Sequence, residues 1–326
     1  MGIADAVRRY QSGDYLDCSR HCELLLQQQP GDHELLFLLA LCHWRNGSAN
    51  VGLRLIKQAV ELNSSYMHYD YLRERLKAQG ERNQLYMWEA LFKEYLRFRE
   101  VEAFLISYPK CGRTWLRMLL GWYAGGLDAA NPMEVFRLSH AAGLTRLDVS
   151  HDDYPHFKPA DRQFTDKQAY RGKTVLFLVR DPRDVLVSNY FQFLKRGDRE
   201  LAGAEFTGNL PDFIRSSIGG IEWLVGFYNL WARNRDVPAR FEIITYEDML
   251  ADDRAVLQRC ISLLGWPDRG DNLLTAVIDS GKFGKLRKLE VDNAFNDPRL
   301  AAGNVSDPES FKIRRGKAGG YVDYLS

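Results

Sequence analysis

The stretch Ala103-Phe-Leu-Ile-Ser-Tyr108-Pro-Lys-Cys-Gly-Arg-Thr-Trp115 decides how the rest of the chain is read. A short apolar run stops at a turn carrying Pro109, Lys110 and Gly112, and Thr114 to Tyr123 continues at helical spacing. A strand that hands over to a helix through such a turn aims backbone N–H groups and a lysine at an oxyanion. The turn is P-loop-like but is no Walker A loop, whose lysine follows the second glycine; here Lys110 precedes the only one. That disfavours a kinase or a nucleotide triphosphatase. Two further runs repeat the pattern, Thr174 to Val179 before Pro182 to Leu194, and Phe241 to Thr245 before Glu247 to Leu250. Strands alternating with helices predict an α/β fold, a parallel sheet flanked by helices, with ligands at the carboxyl ends of the strands.

Upstream, residues 1 to 98 read as helix after helix, with apolar residues at helical spacing in Leu16 to Leu26, Leu35 to Trp44, Val51 to Leu62 and Tyr69 to Leu76. Gly13, Gly47 and Gly80 follow helical stretches at intervals of 34 and 33 residues, the period of a helix–turn–helix repeat. Each glycine permits the turn between paired helices, while Pro30 and Asn63-Ser64 end the second helix of a pair. Gly13 to Asp32 resembles a tetratricopeptide repeat, and the unit through Asn63 resembles it more weakly. The expected organisation is an all-α tetratricopeptide-like domain, 1–98, ahead of the α/β domain, 99–326. Residues 84 to 99 read either as part of a third repeat or as a strut joining the two domains.

Apolar residues make up 45% and charged residues 27%, and 44 Lys+Arg against 43 Asp+Glu leave a charge of +1. Such a balance argues against a nucleic-acid binder, so any anion site has to come from local clustering. Five cysteines without CxxC or Cys/His spacing indicate neither a disulfide framework nor a metal. The start of the chain has no apolar signal core, and its longest apolar run, Leu35 to Cys42, is far short of the roughly 20 residues of a membrane span. A cytoplasmic protein is expected.

Tyr108 to Trp115 resembles the 5′-phosphosulfate loop of the cytosolic-type sulfotransferases, with Cys111 where that family usually has serine. The resemblance implies 3′-phosphoadenosine 5′-phosphosulfate (PAPS) as donor, PAP as product and no metal. Lys110 would meet the oxygen bridging phosphate and sulfate, Cys111 would keep its N–H, Gly112, Arg113 and Thr114 would supply amide and hydroxyl donors, and Trp115 would stack on adenine. Arg180-Asp-Pro-Arg-Asp-Val-Leu-Val-Ser188 resembles the family's 3′-phosphate motif, in which Arg180 and Ser188 give hydrogen bonds. Asp184 in that motif reads as structural, a tie for the loop. Phe311-Lys-Ile-Arg-Arg-Gly-Lys317 is similar to a second 3′-phosphate segment, which assigns Arg314, Arg315 and Gly316 to it, although Gly320 and Tyr321 replace a common Asp-Trp pair. Tyr246 and Phe283 match aromatics near the adenine and read equally well as core.

Sulfuryl transfer to a hydroxyl or amine acceptor needs a proton acceptor there and charge relief at the leaving oxygen, which Lys110 would give. Val149-Ser-His151-Asp-Asp resembles the family's histidine-bearing strand end, so His151 is the expected base, with a neighbouring aspartate to orient the ring or raise its basicity. His156 is second, and His140 the remaining candidate. Regions 124 to 173 and 196 to 237 are expected to line the acceptor cleft, although the stripe Trp223, Phe227, Tyr228 and Trp231 reads as core. A protein partner or a homodimer through the helical repeats is the expectation for the first domain. Two other readings stay open. Cys111 and Arg117 have the C-x5-R spacing of cysteine phosphatases, against which no histidine precedes Cys111 and bulky Trp115 and Leu116 occupy the loop. A repeat scaffold with a non-catalytic nucleotide domain is the other, opposed by the intact Lys110, His151, Arg180 and Ser188.

Overall fold

The computed structural model describes residues 2–62, 89, 92–93, 96–153, 159–195 and 208–325. The chain divides into two compact units, Met1–Glu100 and Val101–Ser326. Gly80 and His156 lie outside the described residues, as does most of the 84–99 stretch.

In the first unit helices run Ile3–Gln11, Tyr15–Gln28, His33–Arg45 and Ala49–Leu62. Asp14 and Asp32 cap the second and third by accepting from free N–H groups of the first turn. Gly13 and Gly47 turn the chain between the helices of each pair at φ of 86° and 83°, where a side chain would be strained. The run Leu35 to Cys42 is buried along its whole length, so this helix is apolar all round because it is the centre of the unit. Cys18, Cys22 and Cys42 lie in that core as small apolar groups. Arg45 forks onto Glu89 at 2.6 and 2.5 Å, and Tyr10 donates to the same carboxylate.

The second unit is built on a parallel sheet of β1 (Ala103–Ser107), β2 (Leu147–Ser150), β3 (Thr174–Val179) and β4 (Arg240–Thr245), in the order β2-β1-β3-β4. Ala103 lies level with both Leu147 and Thr174, and Leu178 with Ile244, so the strand ends fall together on one edge of the sheet. Helices Arg113–Gly125, Pro182–Lys195 and Tyr246–Ala251 leave those ends, as the turns in the sequence imply. β2 is the strand that hydrophobic runs miss, because Asp148 and Ser150 alternate with its apolar residues. Trp223, Phe227 and Trp231 of the helix Ile221–Arg233 are fully buried and form a ladder with Phe177 of β3, which is the core role expected of the stripe.

Candidate active site

The loop after β1 is fixed at its start by Tyr108, whose buried hydroxyl donates to the Gly219 carbonyl at 2.9 Å. Lys110 and Gly112 then both take positive φ, 72° and 96°, and Gly112 caps the helix Arg113–Gly125 with no side-chain partner. Among the described residues no acceptor faces the N–H groups of Cys111, Gly112, Arg113 and Thr114, so the loop presents a nest of free donors. A Cβ on Gly112 would lie 2.5 Å from the Tyr246 ring, which also meets the Trp115 indole edge-on at 6.0 Å. Lys110 Nζ donates to Gln192 Oε1 at 3.0 Å.

Cys111 is fully buried, and that burial pushes its thiol up to about 12, so it is no thiolate at neutral pH and no phosphatase nucleophile. Its Sγ lies 3.3 Å from the Tyr228 hydroxyl, which donates to the Arg180 carbonyl at 3.0 Å and accepts from the Arg180 N–H at 3.1 Å. Because the phenol has spent its one proton on the carbonyl, the thiol is the donor to it. Cys111 therefore ties the first loop to the turn after β3, and Tyr228 is the part of the aromatic stripe that serves the site.

Arg180 stands where the segments meet. Its guanidinium donates to the Lys110 carbonyl at 3.3 Å and the Lys317 carbonyl at 3.0 Å, approaches Asp184 at 3.4 Å and covers the Tyr246 ring at 4.1 Å. Its buried Nε has no partner among the described residues. Asp184 accepts from the Gly319 and Tyr321 N–H groups, each at 2.8 Å, so it holds the C-terminal segment against the helix Pro182–Lys195. Ser188 is buried two turns along that helix from Arg180. Gly316, at φ 61°, passes Phe283 so closely that a Cβ would lie 2.3 Å from the ring. Arg314 donates to Glu309 at 2.6 Å and to the Tyr324 hydroxyl at 3.2 Å, and its buried Nε has no partner among the described residues. Arg315 pairs with Glu309 at 3.1 Å and Asp323 at 2.5 Å, and Lys317 with Asp323 at 3.0 Å, so this charge run is an ordered network and not a solvated face.

His151 follows β2. Its Nδ1 lies 2.8 Å from the Ser107 carbonyl, which can only accept, and its Nε2 lies 2.6 Å from Arg113 Nη2, which can only donate. The ring is therefore neutral, with its proton on Nδ1. Burial and the nearby Arg117 pull the Arg113 guanidinium down to about 9. Of the two neighbouring aspartates, Asp153 accepts from the Phe164 N–H at 2.8 Å, while Asp152, at φ 60°, accepts from Tyr170, Trp231 and buried Lys167, each at 2.8 Å. It pins the turn, and the Ser107 carbonyl orients the imidazole. His140 is exposed on the helix Val135–Ala141, away from these partners. Tyr228, Gln192, Glu309 and Asp323 join the site without having been singled out for it. Only Gln192 carried a signal, one helical turn beyond Ser188.

Known proteins resemble this sequence over most of its length. Cytosolic sulfotransferase 16 of Arabidopsis thaliana is 24% identical over 262 residues, covering 73% of this chain and 76% of its own. Sulfotransferase 2B1 of Rattus norvegicus is 24% identical over 245 residues, covering 70% and 67%. Among solved structures, mouse sulfotransferase SULT7A1 complexed with PAP aligns over 70% of this chain and 80% of that one, at 21% identity and a TM-score of 0.47. The family model described as "Sulfotransferase domain" matches residues 101–326, the whole second unit with its loop, its Arg180 turn and its C-terminal segment. The chain belongs to the sulfotransferase family, whose domain spans the second unit.

Proposed function

We propose that the second domain, residues 99–326, binds PAPS and transfers its sulfuryl group to a hydroxyl or amine acceptor by in-line displacement, with His151 as base and Lys110 at the leaving phosphate. The observation that carries this is Arg180, whose single guanidinium donates to the carbonyls of Lys110 and Lys317. The lysine loop and the C-terminal cations thus flank one side chain, as a ligand with a phosphate at each end requires.

The residues fit such a ligand. Four amides without an acceptor among the described residues open the helix Arg113–Gly125, and Gly112 leaves room that any Cβ would fill. Buried, unpartnered Nε atoms on Arg180 and Arg314 supply donors for the second phosphate, with Ser188, Arg315 and Gly316 assigned beside them. Trp115, Tyr246 and Phe283 offer aromatic faces to the base. When bound, PAPS supplies the sulfuryl group and a phosphate that departs with its charge. Lys110 and the amides of residues 111 to 114 neutralise that charge in place, and His151, unprotonated at Nε2, takes the acceptor's proton. Positioning supplies much of the acceleration, as in phosphoryl transfer.

The same proposal covers the first domain, 1–98, as a tetratricopeptide-like module that docks a protein partner or a second copy of the chain, in the cytoplasm. It is supported by the equivalent positive-φ turns at Gly13 and Gly47. Among the described residues no helix is long and apolar enough to cross a membrane.

The test is calorimetric titration of PAP, then sulfate transfer from PAPS to a panel of alcohols, phenols and amines. Lys110→Ala is expected to lower kcat by about a hundredfold to a thousandfold, the scale of a lost transition-state donor. Absence of PAP binding, or undiminished transfer by the variant, overturns the reading.

A further inference from the structure

Arg113 and Arg117 lie one turn apart on the helix Arg113–Gly125, which contains no acidic residue. Side chains four apart share a helix face. Arg117 is 7% exposed, and among the described residues the buried Arg113 Nη1 and Arg117 Nε have no hydrogen-bond partner. Neither guanidinium forms an ion pair among the described residues: the nearby Glu134 and Asp297 are both taken by Arg299, and Asp148 acts on the two only through space. Burial and Arg299 pull Arg117 down to about 10, so it stays charged at neutral pH. Two largely enclosed guanidiniums that no carboxylate pairs directly are costly to keep. Arg113 touches the proposed base, and Arg117 follows one turn on along the same helix face.

We propose that this pair receives an anionic group of the acceptor, a carboxylate or a sulfo or phospho group beside the hydroxyl to be sulfurylated, and that its arrival draws Arg113 off His151. The inference rests on the proposed sulfotransfer in one respect, that His151 is the base. Without acceptor, the Nε2 lone pair that must take the proton already accepts the Arg113 N–H at 2.6 Å. One contact therefore holds the ring in the correct tautomer and covers it. An oxyanion offers a guanidinium two parallel charge-assisted bonds where a neutral imidazole offers one, so it wins the arginine and uncovers Nε2. An acceptor without the anion leaves the base covered, and the preference then appears in kcat as well as in binding.

The experiment uses the full chain saturated with PAP and three phenols that differ at one substituent: 4-hydroxyphenylacetate, 4-hydroxybenzenesulfonate and 4-methylphenol. At least one anionic phenol should bind about tenfold or more tightly than 4-methylphenol by calorimetry. It alone should shift the His151 imidazole nitrogen resonances. Arg117→Met should abolish the preference and Arg117→Lys should keep part of it, so the lysine variant decides if the methionine variant fails to fold. The stronger anion distinguishes a planar carboxylate from a tetrahedral sulfo or phospho group. Equal binding of all three, no binding of either anion, or a preference that survives Arg117→Met overturns the inference. Failure of PAP to bind would instead strike the sulfotransfer reading, and the same comparison on nucleotide-free protein would still judge the arginine pair.

Discussion

At Gly112 two demands fall on one atom, a φ of 96° and a Tyr246 ring 2.5 Å from where a Cβ would stand. Gly112→Ala has to bear backbone strain of about 1–3 kcal/mol or push the ring aside, and either outcome turns the free amides off their target. PAP affinity is expected to fall by about tenfold to a hundredfold, read by calorimetry, with the protein still folded by circular dichroism. Residues of this kind are legible in a sequence because a turn compresses them into a few adjacent positions, as with Lys110 to Trp115 and Arg180 to Ser188. Arg113 and His151 are not, since their contact spans 38 residues and depends on how β1 and β2 align. Tyr228 hides for another reason: its ring keeps the apolar period of its helix while its hydroxyl bonds Arg180.

Among the elements, the helix Pro182–Lys195 does the most for the site. It presents Ser188, sends Gln192 to Lys110, and through Asp184 anchors the segment that bears Arg314 and Arg315. Removing the anchor should loosen that segment without unfolding the sheet. Asp184→Ala loses two charge-assisted bonds of about 1.5–3 kcal/mol each, so PAP should bind at least about tenfold more weakly. Limited proteolysis should then cut between residues 312 and 325, sites that the parent protein protects. Three of the described strands, and the helices read at Leu16 to Leu26, Leu35 to Trp44, Val51 to Leu62, Thr114 to Tyr123, Pro182 to Leu194 and Glu247 to Leu250, match the structure to within two residues. Ile3–Gln11, Val135–Ala141, Asp253–Leu264, Asp271–Ser280 and Phe283–Val291 had no reading. β2 had none either, because it is four residues long with polar residues at alternate positions. The C-terminal segment has almost no regular structure, so its sequence showed cations but not the carboxylates of Glu309 and Asp323 that order them.

For the molecule as a whole, alternation of strand and helix announced the α/β fold, but strand order and register arise from pairings between distant segments that no local pattern records. Every residue assigned to the nucleotide lies in the unit Val101–Ser326. A chain reduced to residues 99–326 is therefore expected to fold and to hold PAP within about twofold of the full protein, checked by circular dichroism and calorimetry. Glu309 and Asp323 have one more effect. Clustered arginines with nothing to balance them would repel one another and make folding wait for a ligand. Here two internal carboxylates already sit on those cations, so the chain can mature empty. A nucleotide bound as proposed would then enter by exchange, evicting acids as its phosphate docks. Added salt weakens the incumbents along with the newcomer, and affinity should decline with ionic strength less steeply than a tally of cations would forecast.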